Sequence, residues 1–128
     1  LVRAIARKKN SNQGASLVGV SSVAAFRGGK AQEAYAASKA AIDSVLKPMA
    51  KELADRRIRV NAAAFGMVRT HSYQMYLDGG GSDEALRTQQ YLGVGEPEEA
   101  ASVLCFLLSD ASRFITGTTL VADGGFLS

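Results

Sequence analysis

Apolar and polar positions change rhythm several times along the chain, and each change marks an element. Residues 1–9 set Leu1, Val2, Ile5 and Ala6 against Arg3, Arg7 and Lys8 with a 3.6-residue period, which reads as the tail of a longer helix, too short to fold alone. Residues 10–14 are polar and turn-forming. Residues 15–21 then rise through Leu17, Val18 and Val20 as the short apolar run of a buried parallel strand, ended by Ser21 and Ser22. Gly28 and Gly29 break the chain again. Over residues 34–57 the spacing turns helical: Ala37, Ala41 and Val45 alternate with Ala40, Ile42, Leu46, Ala50 and Leu53. Small residues on both faces would admit a neighbouring helix, and Pro48, which removes an internal hydrogen bond, predicts a kink. Residues 58–64, partly β-branched and bounded by Gly66, read as a second buried strand. Strand, helix, strand is a βαβ unit with a right-handed crossover, so the fold class is α/β.

Residues 70–92 differ in character. Tyr73, Met75, Tyr76, Leu77, Leu86 and Tyr91 surround a flexible stretch over residues 78–82, the pattern of a mobile, partly helical flap. At Glu96 a new helix is announced by Pro97 at its first position and by Glu98 and Glu99 in its first turn. It runs to about Leu108, with Ala101, Val103, Leu104, Cys105, Phe106, Leu107 and Leu108 expected mostly in the core. Residues 117–122 form a last short strand, closed by the turn Asp123-Gly124-Gly125.

A chain of 128 residues with 47% hydrophobic and 21% charged positions has room for one domain at most. No apolar run is long enough to span a membrane, and the single cysteine, Cys105, forms no internal disulfide, so a reducing cytoplasm is the expected compartment. Arg3 and Arg7 interrupt the terminal apolar stretch and argue against a signal peptide. Net charge is +3, but residues 1–30 carry six bases and no acid. No aromatic residue interleaves with that run, so a solvated helix end explains it better than nucleic-acid binding does. The lone His71 has no cysteine or acid at ligand spacing, and no metal site is expected.

In a parallel sheet the ligand crevice lies beyond the carboxyl ends of the strands, where this sequence puts Ser21 and Ser22 after one strand and residues 66–70 after the next. Tyr35 and Lys39, four apart at the start of the intervening helix, project from one face toward that same edge. A phenol titrates near pH 10, and an ammonium beside it favours the phenolate. Tyr35 would then serve as a general acid toward a carbonyl oxygen gaining charge, with the Ser22 hydroxyl sharing that oxygen. The chemistry is carbonyl reduction or its reverse. The competing readings are a noncatalytic oligomerising module that uses the same helices, and a structural role for all three residues.

The stretch from Val20-Ser21-Ser22-Val23 through Tyr35-Ala36-Ala37-Ser38-Lys39, Arg59-Val60-Asn61, Gly66-Met67-Val68-Arg69-Thr70, Gly95-Glu96-Pro97-Glu98-Glu99 and Ile115-Thr116-Gly117 to Asp123-Gly124-Gly125 resembles the short-chain dehydrogenases/reductases, the type that includes 3-oxoacyl-acyl-carrier-protein reductases. The resemblance implies the C-terminal half of a Rossmann-like doubly wound parallel sheet, one partial domain over residues 1–128. By that likeness Ser22, Tyr35 and Lys39 are three of the family's four catalytic residues, with Tyr35 donating the proton and Lys39 also holding the nicotinamide ribose. Val68 by its backbone and Thr70 by its hydroxyl would contact the carboxamide, and Gly66 would allow close approach. It also implies NAD or NADP as cofactor, a small carbonyl or alcohol substrate, and a homo-oligomer, dimer or tetramer. The family's glycine-rich dinucleotide loop and fourth catalytic residue have no counterpart here, so the isolated chain is expected to be inactive. Phe65 stands where the family usually has proline, and Pro48 replaces a usual helix former.

Overall fold

The computed structural model describes Arg7 and residues 12–128, so the helical stripe expected over residues 1–9 lies, apart from Arg7, outside the described residues. Three strands, β1 (Ser16–Ser22), β2 (Arg59–Phe65) and β3 (Thr119–Ala122), form one parallel sheet in the order β1-β2-β3. The register sets Gly19 beside Ala62 and Ser22 beside Phe65 on one side of β2, and Ala63 beside Leu120 on the other. Strand β2 is central and covered on both faces, which is why Ala62, Ala63 and Ala64 are wholly buried.

Helix α1 (Glu33–Glu52) is the crossover between β1 and β2. Its Leu46, Met49 and Ala50 join Leu53, Ile58, Val60 and Ala62 in the principal core, with Leu17 and Ile42 packed against it. Burying each of the larger aliphatic side chains contributes about 1.5–3 kcal/mol. The helix comes close to the sheet at Gly19, where a Cβ would lie 2.6 Å from the Ile42 methyl. Because side chains alternate along a strand, Leu17 and Val60 on the α1 face put Ser16 and Arg59 on the other. There the Ser16 hydroxyl and the Arg59 guanidinium both donate to the Leu107 carbonyl, at 2.8 and 2.9 Å. Leu107 belongs to α4 (Pro97–Leu108), so one helix lies on each face of the sheet. Two short helices, α2 (His71–Asp78) and α3 (Asp83–Arg87), occupy the connection from β2 to α4 where the partly helical flap was expected.

Several expectations are corrected. Helix α1 stops at Glu52 rather than Arg57, giving way to a 3-10 turn (Ala54–Arg56) and to Arg57 in the left-handed region at φ 53°. Pro48 lies inside the helix, as the sequence placed it, with its side chain exposed. Strand β3 starts at Thr119, two residues late, because the Gly117 N–H donates to Val60 while φ is +73°, a turn into the sheet rather than part of it.

The largest correction concerns α4. Its start is as read, with Pro97 at the first position and reciprocal bonds between Glu96 and Glu99. Of the apolar residues named as core, only Leu107 is buried; Cys105 is exposed, as are Phe106 and Leu108. The helix is apolar around more of its circumference than a three-stranded sheet covers.

Candidate active site

Ser22 ends β1, and its Oγ accepts the Ala24 N–H at 3.2 Å, capping the 3-10 turn Val23–Ala25. That bond fixes the oxygen and leaves the hydroxyl hydrogen free for another acceptor. One turn after Tyr35 on α1, the Lys39 ammonium donates to the Val20 carbonyl at 3.1 Å and stands 5.5 Å from the Tyr35 ring centroid. Lys39 is thus tied back to the strand that carries Ser22. Tyr35 keeps 48% of its surface exposed. Ser22, Tyr35 and Lys39 all line one cleft of about 1070 Å³ at the carboxyl end of the sheet, together with Gly66, Val68 and Thr70. Each of the six residues singled out in the sequence therefore lies on the same cavity. From the flap, Met75 and Tyr76 line it as well, whereas Tyr73 turns away into a small core with Leu86 and Val94.

The opposite wall leaves β2 at Gly66. The Gly95 N–H donates to Met67 O at 3.0 Å and the Arg69 N–H to Gly95 O at 2.8 Å, making a one-residue parallel bridge between Val68 and Gly95. In such a bridge the N–H and C=O of the middle residue point to the side away from its partner. Val68 therefore presents a backbone donor and acceptor together, with the Thr70 hydroxyl donating to Val68 O at 3.3 Å. A donor beside an acceptor is the complement of a carboxamide, and an ammonium beside a phenol suits a vicinal diol. The residues present fit the nicotinamide-ribose end of a dinucleotide.

Around this wall runs a charged cluster that sequence reasoning missed. Arg69 pairs with Glu96 at 2.9 Å and Asp83 at 3.6 Å, and Arg87 pairs with Asp83 at 2.7 Å. The buried Tyr73 donates to Asp83 at 2.7 Å and accepts from Arg69 at 3.0 Å. Asp83 is held below the usual carboxylate range, first by the bond from Arg87 and then by that from Tyr73, with partial burial opposing. The bond to Asp83, helped by burial, pushes the Tyr73 phenol up. Asp43 was missed too. It accepts from Ser21 and from Thr119, each at 2.7 Å, and so braces α1 between β1 and β3. Its place one turn beyond Lys39 was a usable signal; the Arg69–Asp83 contact, fourteen residues apart across a loop, had none.

A family model described as Enoyl-(Acyl carrier protein) reductase matches residues 1–127, nearly the whole chain. The chain belongs to the short-chain dehydrogenase/reductase family. Among curated members it is 43% identical over 112 residues to the 3-oxoacyl-(acyl-carrier-protein) reductase FabG of Thermotoga maritima, covering 88% of this chain and 45% of that protein. Among solved structures of short-chain dehydrogenases/reductases, 4-hydroxyisoleucine dehydrogenase complexed with NADH superposes with a TM-score of 0.87 at 33% identity, covering 97% of this chain and 52% of that one. The angucycline C-6 ketoreductase LanV with bound NADP gives 0.75 at 30% identity, covering 91% and 45%. The chain thus spans about half the length of the relatives it matches. Its α/β fold, a parallel sheet flanked by helices, is the family's Rossmann-like one. None of the described helices is long and apolar enough to cross a membrane.

Proposed function

We propose that this chain is the catalytic half, a single partial domain, of an NAD(P)-dependent oxidoreductase that interconverts a ketone and a secondary alcohol. The observation that carries the reading is the shared cleft: Tyr35 and Lys39 from one face of α1, and Ser22 from the end of β1, line one cavity with the Val68 backbone and Thr70. In the reductive direction the substrate oxygen is held by the Ser22 hydroxyl, whose lone pair is already engaged by Ala24. A reduced nicotinamide held beside Val68 and Thr70 would supply the hydride that the carbonyl carbon accepts. As the oxygen gains charge, the Tyr35 O–H bond breaks and its proton passes to that oxygen, giving the alcohol. Lys39, held by Val20, places a fixed positive charge beside the phenolate left behind. Val68 by its backbone and Thr70 by its hydroxyl would hold the carboxamide of that nicotinamide. Known relatives with NADH or NADP bound support either cofactor.

The test is Tyr35→Phe in a protein that carries this chain together with a dinucleotide-binding half. The change keeps the ring and deletes the acid, so ketone reduction should fall by about 10²–10⁴-fold, in line with general acid catalysis. A retained rate would overturn the reading. The 128 residues alone should neither reduce ketones nor bind NADH, since the described residues include no glycine-rich pyrophosphate cradle, and should run as a homo-oligomer because β1 is an edge strand among the described residues. Fluorescence titration with NADH and light scattering check both; tight binding or a stable monomer would contradict them.

A further inference from the structure

We propose that Gln90 is a positioning residue that clamps the cofactor-facing loop, an inference that rests on the oxidoreductase reading. Gln90 follows α3 in the flap and is 3% exposed. Its side-chain amide is spent wholly on backbone. Oε1 accepts the Met67 N–H at 2.7 Å, while Nε2 donates to Met67 O at 3.0 Å and to Gly93 O at 2.7 Å. The first two bonds pair the amide with Met67 as a neighbouring strand would, and the third ties the same group to the segment that carries Gly95.

The contact is close enough to dictate a neighbour. A Cβ on Gly66, the residue after β2, would lie 2.5 Å from Gln90 Oε1 and 3.0 Å from the Asp123 backbone, so a side chain there would displace the Gln90 amide. On the far side Met67 O also receives the Gly95 N–H, and Arg69 N–H is held by Gly95 O. Val68 is therefore stretched between two residues fixed by other groups. Its own donor and acceptor, the pair assigned to the carboxamide, keep their direction only while Met67 and Arg69 are held. Gln90 borders the cleft, but its three polar bonds all go to backbone, so in this role it acts through the Met67 peptide. An apolar side chain of similar volume would fill the space and release the loop.

The experiment compares Gln90→Met and Gln90→Glu with wild type in a protein carrying both halves. Met keeps the volume and loses all three bonds; Glu keeps the acceptor for Met67 N–H and loses both donors. Two readouts are taken: amide hydrogen exchange at Met67 and Arg69 against Ala63 and Ala64, and the KM values for reduced cofactor and ketone. In Gln90→Met, exchange at Met67 should rise about tenfold or more, as for the loss of a buried hydrogen bond, with the β2 amides unchanged. The cofactor KM should rise by a similar factor, with ketone KM and kcat within about twofold, the pattern of lost ground-state binding. Gln90→Glu sets a carboxylate oxygen against the Met67 and Gly93 carbonyls and should release Met67 at least as far as Gln90→Met does. Unchanged Met67 exchange, or an equal rise throughout β2, would overturn the clamp. Local release with an unmoved cofactor KM would overturn the positioning role alone. If Gln90→Met does not fold, Gln90→Leu, which also loses all three bonds, decides on the same two readouts. A wild type inert to both NADH and NADPH would overturn the oxidoreductase reading and with it the cofactor role, while the exchange data would still decide the clamp.

Discussion

The two walls of the cleft are held by different forces. The wall made by β1 and α1, which carries Ser22, Tyr35 and Lys39, is backed by the aliphatic core of Leu46, Met49, Leu53, Ile58 and Val60 and by the seven-residue register between β1 and β2. The wall that leaves β2 at Gly66 has a smaller core among the described residues, Tyr73, Leu86 and Val94 with Met67, Tyr76 and Leu77 packed against them, and carries many side-chain polar bonds: Gln90 on Met67, Arg69 on Glu96, and Asp83 between Tyr73 and Arg87. Apolar burial is indifferent to pH and little affected by salt, whereas exposed ion pairs respond to both. The difference teaches that Ser22, Tyr35 and Lys39, the groups proposed for proton transfer, sit on the wall backed by the larger apolar core, and Val68 and Thr70, the proposed cofactor contacts, on the wall with the smaller core and the many polar bonds.

Truncating the core under the first wall should have the largest effect on stability. Leu46 is 3% exposed, so Leu46→Ala removes buried methyl groups and leaves a cavity, at a cost of about 2–5 kcal/mol. Urea denaturation reads the loss, and cooperative unfolding should move both walls together. A cost under about 1 kcal/mol would mean that the site collapses around the gap and that the core does not hold the first wall as argued.

The same contrast governs what the sequence disclosed. The first wall is written in local patterns: short apolar runs give β1 and β2, and a 3.6-residue period gives α1, so the four-residue spacing of Tyr35 and Lys39 fixed their common face. Gly66, Val68 and Thr70 were placed by their position after a strand and by resemblance. Gln90 and the Arg69–Asp83 pair follow no period, because a loop brings distant residues together through its own path, and nothing in Gln89-Gln90 marks one glutamine as buried. Cys105 failed in the opposite direction. An apolar helix reads as core whether or not its partner surface lies within the same stretch of chain, and α4 has sheet under only one side.

The smallest effect on global stability, and the sharpest test of the comparison, comes from the charged cluster. Asp83→Asn keeps the shape of the side chain and removes the charge that Arg69 and Arg87 face, so the denaturation midpoint should hardly move while amide exchange over α2 and α3 quickens. Acid should do the same to wild type. Because Asp83 has a lower pKa in the folded state than the ordinary value near 3.9, its contribution is full above that value and is lost as pH falls through the folded one. Tyr73 runs the other way. Its folded pKa lies above the ordinary value near 10, so its contribution is full below pH 10 and is lost as pH rises through the raised value. Exchange across the flap should therefore be slow on a plateau between about pH 5 and 9, once corrected for the intrinsic rate, and should rise at both ends. In Asp83→Asn the acid limb should vanish. An acid limb that survives in Asp83→Asn would assign the flap's closure to another carboxylate, Glu96 being the one that also pairs with Arg69. A limb of equal size at Tyr35 on α1 would show that the two walls are not held differently after all.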